Sequence, residues 1–475
     1  MSPISDPKPS VPPTEASIPT ESKNALWHEQ VLLWWQPFAR DYGMLFVLLG
    51  LGALFSILTH TEQHPTGADA GQQVARSILQ EQGTAAQVLI VARQTAEDLE
   101  FTTTLSSRLD VEGAKVLRVI NGDPAATRLA IQELIASNQL PSALAVNDVS
   151  SRWGVFGQFE ETRNLPAYKP QPYYWPNFLK RTNLLGVANQ TAVYAIIAVG
   201  MTLVILTAGI DLSVGSLVAL SAVISAVYLR DFQGGAAAGI VAVLIGIALA
   251  LLTCMIVGAF NGIMVTIFGL PPFIVTLGVM LMASGLAFRL AGGASIPELP
   301  SSFFWLGGAS TYGIPNPVLL MALLYGIAYV VMSRTVYGRY LYAIGSNHEA
   351  ARLSGVPVVP CVISVYVISG CLAGLGGLIL SSNLQAGDPK FGLMYELEVI
   401  ASVVVGGTSL LGGRGKVLGT LIGAFIIAVI KNGMNLTNID PFNQKIVLGA
   451  VLLTAVGIDT LKRNRPQAFR RAMVT

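Results

Sequence analysis

The 475-residue sequence is short of charge, cysteine and histidine, and each shortage removes a class of function. Charged residues make up 12% of the chain, and a formal net charge of +2 supplies no basic surface for a nucleic-acid partner. The three cysteines, Cys254, Cys361 and Cys371, all stand in apolar runs, which suits buried or lipid-facing thiols rather than a disulfide or metal framework. The four histidines, His28, His60, His64 and His348, are scattered without ligand spacing. No GxGxxG follows a candidate strand: Val91-Ala92-Arg93-Gln94 has no glycine and Gly122 is alone, so a dinucleotide cradle is missing. GGRGKV at residues 412–417 is no Walker loop, since Leu410 stands where glycine is needed and Val417 where Ser or Thr is needed. ATP binding is therefore expected in another chain, and no cofactor or metal is expected to be bound by this one.

Apolar sequence is what the chain has in quantity. Hydrophobic residues reach 52% and the mean hydropathy is +0.59, the composition of a polytopic membrane protein. The most informative stretch is VGMTLVILTAGIDLSVGSLVALSA, Val199 to Ala222. No charge lies between Thr182 and Ile210 or between Leu212 and Leu229, so Asp211 sits alone where two membrane-length runs meet. A carboxylate at mid-bilayer depth costs about 2.5–3.5 kcal/mol on insertion scales and is placed at a helix end, in a cavity or beside a partner. Gly209 and Gly215 flank it and point to a helix end. Two readings stand: an N-cap at a turn, or part of the wall of a solute path.

Along the chain, residues 1–42 hold six prolines in their first 22 positions and then Trp27, Trp34 and Trp35, a disordered segment leading into an interfacial one. Residues 43–61 carry a retained first span, with no small-residue cleavage site after its apolar run. Residues 62–181 differ in kind, with eleven Lys or Arg and thirteen Asp or Glu. Strand-like 87–92, 114–120 and 142–147 alternate there with helix-like 69–82, 95–109 and 124–138, which predicts a small α/β unit with a parallel sheet. It resembles part of a lobe of a periplasmic sugar-binding protein, at the level of fold alone. Residues 182–461 form a transmembrane core, and 462–475 a basic tail.

The expected architecture is an all-α polytopic membrane protein of about ten transmembrane helices, with the α/β domain inserted outside between the first and second spans. The spans are read at 43–59, 185–207, 212–229, 236–257, 271–290, 316–333, 359–381, 394–411, 417–435 and 443–461. Arg414 and Lys416 interrupt 399–430 within GGRGK, in the manner of a transporter's discontinuous helix, and GGRGKV itself reads as a glycine-rich turn between two spans whose two charges fix orientation. With the N-terminus inside, the inner segments hold thirteen basic residues and the short outer loops two, so both termini are expected to be cytoplasmic.

AVGMTLVILTAGIDLSVGSLVAL resembles the signature segment of the permease subunit of bacterial ABC importers for ribose and related monosaccharides. GRYLYAIGSNHEAARLSGVPV at 338–358 and YELEVIASVVVGGTSLLGGRGKVLGTLIGAFI at 395–426 extend the resemblance, which covers residues 175–461 and the first span. The ribose permeases lack the 62–181 unit. The resemblance implies an inner-membrane importer subunit that is itself no enzyme, and partners: a cytoplasmic ABC ATPase, an extracytoplasmic sugar-binding protein, a second copy of the permease and membrane lipid. It also implies that Glu349, Ala350, Ala351, Arg352 and Gly355 match the EAA-xxx-G element of a short helix that couples to the ATPase. Polar residues in apolar surroundings that could line the path are Asn189, Gln190, Asp211, Ser213, Ser216 and Asn261, with Thr202 and Thr276 beside them. Rival readings are a permease for a nucleoside, autoinducer or branched amino acid, and an extracytoplasmic sensor that binds ligand in 62–181. A proton-coupled transporter is a further rival, disfavoured because Asp211 is nearly alone among the spans.

Overall fold

The computed structural model describes residues 43–464; the segment read at 1–42 and the tail from residue 465 onward lie outside the described residues. Helix α1 (Gly43–Leu58) is a short apolar helix. The chain then divides into two compact units, Ser56–Lys180 and the remainder.

The smaller unit runs β1 (His60–Gln63), α2 (Gly67–Gln82), β2 (Gln87–Ala92), α3 (Ala96–Val111), β3 (Lys115–Asn121), α4 (Pro124–Ala136), β4 (Ala143–Val146), α5 (Glu160–Arg163), β5 (Ala167–Tyr168) and β6 (Tyr173–Pro176). β2 to β5 make one parallel sheet in the order β3-β2-β4-β5. β2 is apolar from Val88 to Ala92 because both of its faces are covered. Val88 and Ile90 pack under α2 and α3 with Val74, Ile78, Phe101 and Leu105, while Leu89 and Val91 pack under α4 with Ile131 and Leu134. Local chemistry starts the helices: Thr95 accepts from the Asp98 N–H, and Asp123 accepts from the Ala126 N–H with Pro124 in the first turn. β1 and β6 pair antiparallel and tie the entry of the unit to its exit. At the reversal of strand order between β2 and β4, where doubly wound sheets hold ligands, Asp98 accepts from Arg93 at 2.7 Å and from the Asn147 amide at 2.8 Å. Ser150 donates to the Val91 carbonyl at 2.8 Å, so side chains of the unit itself fill that position.

The larger unit is helical: α6 (Arg181–Leu206), α7 (Val214–Gln233), α8 (Ile240–Thr266), α9 (Pro272–Ala291), α10 (Phe304–Gly307), α11 (Asn316–Arg334), α12 (Val336–Ser346), α13 (His348–Leu353), α14 (Val358–Leu384), α15 (Tyr395–Val405), α16 (Val417–Leu436) and α17 (Pro441–Asn464). Seven of the described helices, α6, α7, α8, α9, α11, α14 and α16, are long and apolar enough to cross a membrane. Helix α6 buries 83% of its apolar window inside the protein, whereas α8, α9 and α11 bury 28% and leave Ile240, Leu244, Leu281 and Leu323 on the outside. Central helices therefore pack on protein and peripheral ones present aliphatic side chains suited to lipid.

Helix α14 is the hub. It lies against α8 through two small-xxx-small stripes, Gly258 and Gly262 on α8 and Gly370 and Gly374 on α14. Gly258 rests on the Tyr366 carbonyl and Gly370 on the Cys254 carbonyl, closer than any side chain would allow. Helices in lipid associate by such packing, not by hydrophobic drive. Gly376 and Gly377 on other faces of α14 admit Ile197 of α6 and Ser221 of α7, and the Ser221 hydroxyl donates to the Gly374 carbonyl at 2.9 Å.

The structure places the discontinuous crossing differently from the sequence reading. α16 runs unbroken for 20 residues, and the glycine-rich 406–416 is the turn before it. The shortened helix is α15, whose 11 residues span about 16 Å, roughly half of a hydrocarbon core. Irregular chain from 385 to 394 leads into it along α7, with Gly387 against Ala222 and Ala226 and Gly392 against Gly215 and Val218. The turn expected at 412–416 between the runs 394–411 and 417–435 is therefore present, and Arg414 and Lys416 stand in it rather than inside a broken helix.

Candidate functional site

The break between α6 and α7 holds Asp211 fully buried. Its Oδ1 accepts from the Ser213 N–H at 3.0 Å and the Ser213 hydroxyl at 2.6 Å, and its Oδ2 accepts from the Ser369 hydroxyl at 2.9 Å. The Asn261 amide donates to Ser213 Oγ at 3.0 Å. Ser369 stands eleven residues after Val358, about 16 Å along α14, so the carboxylate lies beside the middle of that helix, shielded by protein. Irregular backbone at such a depth is acceptable where protein buries it or where it lines a water-filled cavity, and here protein buries it. Asp211, Ser213 and Asn261 are thus brought together in a buried cluster that pins the break to α8 and α14, with Asn261 Oδ1 left without a hydrogen-bond partner among the described residues. Thr202 is taken up by helix packing, its hydroxyl 2.8 Å from that of Thr420, and Thr276 donates to the Pro272 carbonyl at 3.0 Å.

Asn189 and Gln190 lie elsewhere, on α6. With Tyr194, Asn383 of α14 and Tyr395 at the start of α15, they line a cavity of about 240 Å³. The Tyr194 and Tyr395 rings stand 4.4 Å apart at 43°. Against them, Lys431 of α16 binds both carboxylate oxygens of Glu398 at 2.9 and 3.0 Å and sits 5.1 Å over the Tyr194 ring. Ser216 lines a separate cavity of about 290 Å³ with Lys390 and Glu396, beside the starts of α7 and α15. Glu396, Glu398 and Lys431 escaped the sequence reading, which weighed Asp211 as nearly alone. Their signal was present as opposite charges within two apolar runs, Glu398 in 394–411 and Lys431 in 417–435.

The segment 335–357 builds two short helices. Thr335 caps α12 by accepting from the Gly338 N–H at 3.3 Å, and Asn347 caps α13 by accepting from the Ala350 N–H at 3.0 Å. Gly355 ends α13 with φ of 81°, its N–H on the Arg352 carbonyl at 3.0 Å. Glu349 is exposed, and the Arg352 guanidinium, 2.9 Å away, holds its carboxyl below the usual range. Ala350 is exposed, Ala351 is buried in the core of this chain, and Leu353 is 80% exposed. Gly345 at the end of α12 rests on the Leu206 carbonyl and beside Gly413, so this segment abuts both the end of α6 and the 406–416 turn.

Half-helices that begin beside cavities, within a bundle of apolar helices, are the architecture of a multi-pass membrane transport protein. The family described as "Branched-chain amino acid transport system / permease component" matches residues 183–456, and the chain belongs to it. It is 42% identical over 296 residues to the ribose import permease RbsC of Escherichia coli K12, covering 61% of this chain and 88% of that protein. Identity to RbsC of Bacillus subtilis is 41% over 289 residues, 60% of this chain and 87% of the relative. Identity to the D-allose transport system permease AlsC of Escherichia coli K12 is 36% over 285 residues, 60% of this chain and 85% of the relative. No solved structure matches the chain.

Proposed function

We propose that this chain is the permease subunit of an ABC importer and forms the path of a ribose-like monosaccharide across the bacterial inner membrane. The identity of about 40% to ribose import permeases over the helical core is the observation that carries this reading. ATP is hydrolysed in a separate cytoplasmic subunit, an extracytoplasmic protein delivers the sugar, and a second copy completes the assembly. The crossings number ten: α1, α6, α7, α8, α9, α11, α14, α15 with its irregular lead-in, α16 and α17. Both termini and the α12–α13 segment are cytoplasmic, and the inserted α/β unit is extracytoplasmic. Single-cysteine variants test the arrangement: an impermeant reagent applied outside should label Ser106→Cys and spare Ser346→Cys, and the reverse pattern would invert it.

The ATPase is met by α13, where a short helix with a small residue and an apolar one facing outward, and a charged pair beside them, offers a compact seat. Ala351 faces inward, so its bulk would act on this chain, while Ala350 and Leu353 carry the contact. Ala350→Trp and Leu353→Asp should each lower co-purification with the ATPase and stimulated hydrolysis by about tenfold, the equivalent of about 1.4 kcal/mol. The permease itself should keep its melting temperature, because both positions are exposed. Wild-type assembly by both variants would remove the coupling role.

A further inference from the structure

We propose that the cavity between α6, α14 and α15 is a monosaccharide-binding site in which the Tyr194 and Tyr395 rings meet the sugar's C–H face and Asn189 and Asn383 bind its hydroxyls. The inference rests on the importer reading and deepens it by naming the site and the chemistry it selects.

The size comes first. At about 240 Å³ the space is below the roughly 300–1,000 Å³ of drug-sized pockets, which restricts it to a small solute. Its lining alternates apolar and polar groups: Val193, Ile379 and Leu380 stand beside the two tyrosines, and Asn189, Gln190 and Asn383 supply amides. A pyranose or furanose has that same mixture of C–H surface and hydroxyl edge, and an amide can donate to one hydroxyl and accept from another. Asn189 Oδ1 is buried and has no hydrogen-bond partner among the described residues, a condition in which buried acceptors are seldom left. A hydroxyl of a bound solute would satisfy it.

Charge decides the class of solute. None of the lining residues is an acid, a lysine, an arginine or a histidine. The two charges behind the tyrosines are spent on each other, since both Glu398 oxygens bind Lys431. A carboxylate, phosphate or ammonium entering the cavity would lose its hydration without gaining a counter-ion, whereas a neutral polyol loses little. The same argument disfavours a zwitterionic amino acid as the cargo. The Lys431 and Glu398 pair instead positions the platform, with the ammonium over the Tyr194 ring and its Nζ 3.5 Å from the Tyr194 hydroxyl.

The test uses the full chain reconstituted in liposomes with its ATPase and binding protein. Asn383→Leu and Tyr395→Leu should each lower D-ribose uptake by about tenfold while ATPase stimulation stays within about twofold of wild type. In the isolated permease carrying Asn383→Cys, 100 mM D-ribose should slow methanethiosulfonate labelling, and 100 mM glycine betaine should not. Undiminished uptake by both variants, or labelling slowed by neither solute or equally by both, overturns the site. If the wild-type assembly moves ribose and the variants also do, the site fails and the importer reading stands. If the wild-type assembly moves no monosaccharide, both fall.

Discussion

Replacing Gly370 with leucine is expected to abolish the folded permease. The glycine meets the Cys254 backbone carbonyl of α8, and Gly258 of α8 meets the Tyr366 carbonyl of α14 in the same seam. A side chain there has no flexible end to push aside; the two helices must separate along the seam that joins α8 to the hub of the bundle. Overpacking a core commonly costs about 1–3 kcal/mol, and a backbone-to-backbone contact lies at or beyond the upper end of that range. Gly374→Ala is the control. Its neighbours are the Cys254 side-chain atoms at 3.0 Å, which can move by a few tenths of an ångström, so it should cost less than about 1.5 kcal/mol. Monodispersity in detergent and the melting temperature read both variants. A Gly370→Leu protein as stable as Gly374→Ala would show that the seam does not hold the bundle together.

Asp211→Leu is expected to have the second-largest effect. It strips the acceptor from the Ser213 N–H and the hydroxyls of Ser213 and Ser369, all buried, at about 1–3 kcal/mol for each group left unsatisfied. Loss of about 3 kcal/mol or more should release the α6–α7 break from α14 and remove transport together with stability. Asp211→Asn keeps an oxygen for Ser213, and its amide can donate to Ser369 Oγ, since a serine hydroxyl accepts as well as donates. It should cost about 1 kcal/mol and leave most transport. Thermal melts paired with uptake assays separate the two, and equal behaviour of the leucine and asparagine variants would deny the cluster its role. Of the two readings open from the sequence, wall of a path or helix end, the observed hydrogen bonds favour a carboxylate that holds a discontinuity in place.

Much of the molecule was legible because lipid imposes a one-dimensional rule. A helix that crosses hydrocarbon needs about 20 apolar residues wherever it lies in the fold, so α6, α7, α8, α9, α11, α14 and α16 stand out as runs. In the small unit β2, β3 and β4 are short apolar runs set between helices with their own capping residues, Thr95 and Asp123. Family membership was carried by three long motifs whose residues lie next to one another in sequence, and the match over residues 183–456 agrees with them.

Spatial adjacency was not legible. Glu398 and Lys431 are 33 residues apart, Tyr194 and Tyr395 about 200, and nothing in either neighbourhood names the other. Helix α15 was read too long because an apolar run reports what a segment can bury, while its length as a helix depends on where the backbone can find hydrogen bonds. The run 394–411 ends as a helix at Val405, where Gly406 rests on the Gly419 carbonyl of α16 and Gly407, at φ of 89°, turns the chain. Ala350 and Ala351 are the same residue type side by side, yet one is exposed and the other buried. By itself the sequence determined what must leave water, the apolar helices and the family they belong to, because transfer free energy is additive along a chain. Only the tertiary structure decided which polar groups share a cavity and which close on one another, because hydrogen bonds and ion pairs depend on distances that the linear order of residues does not contain.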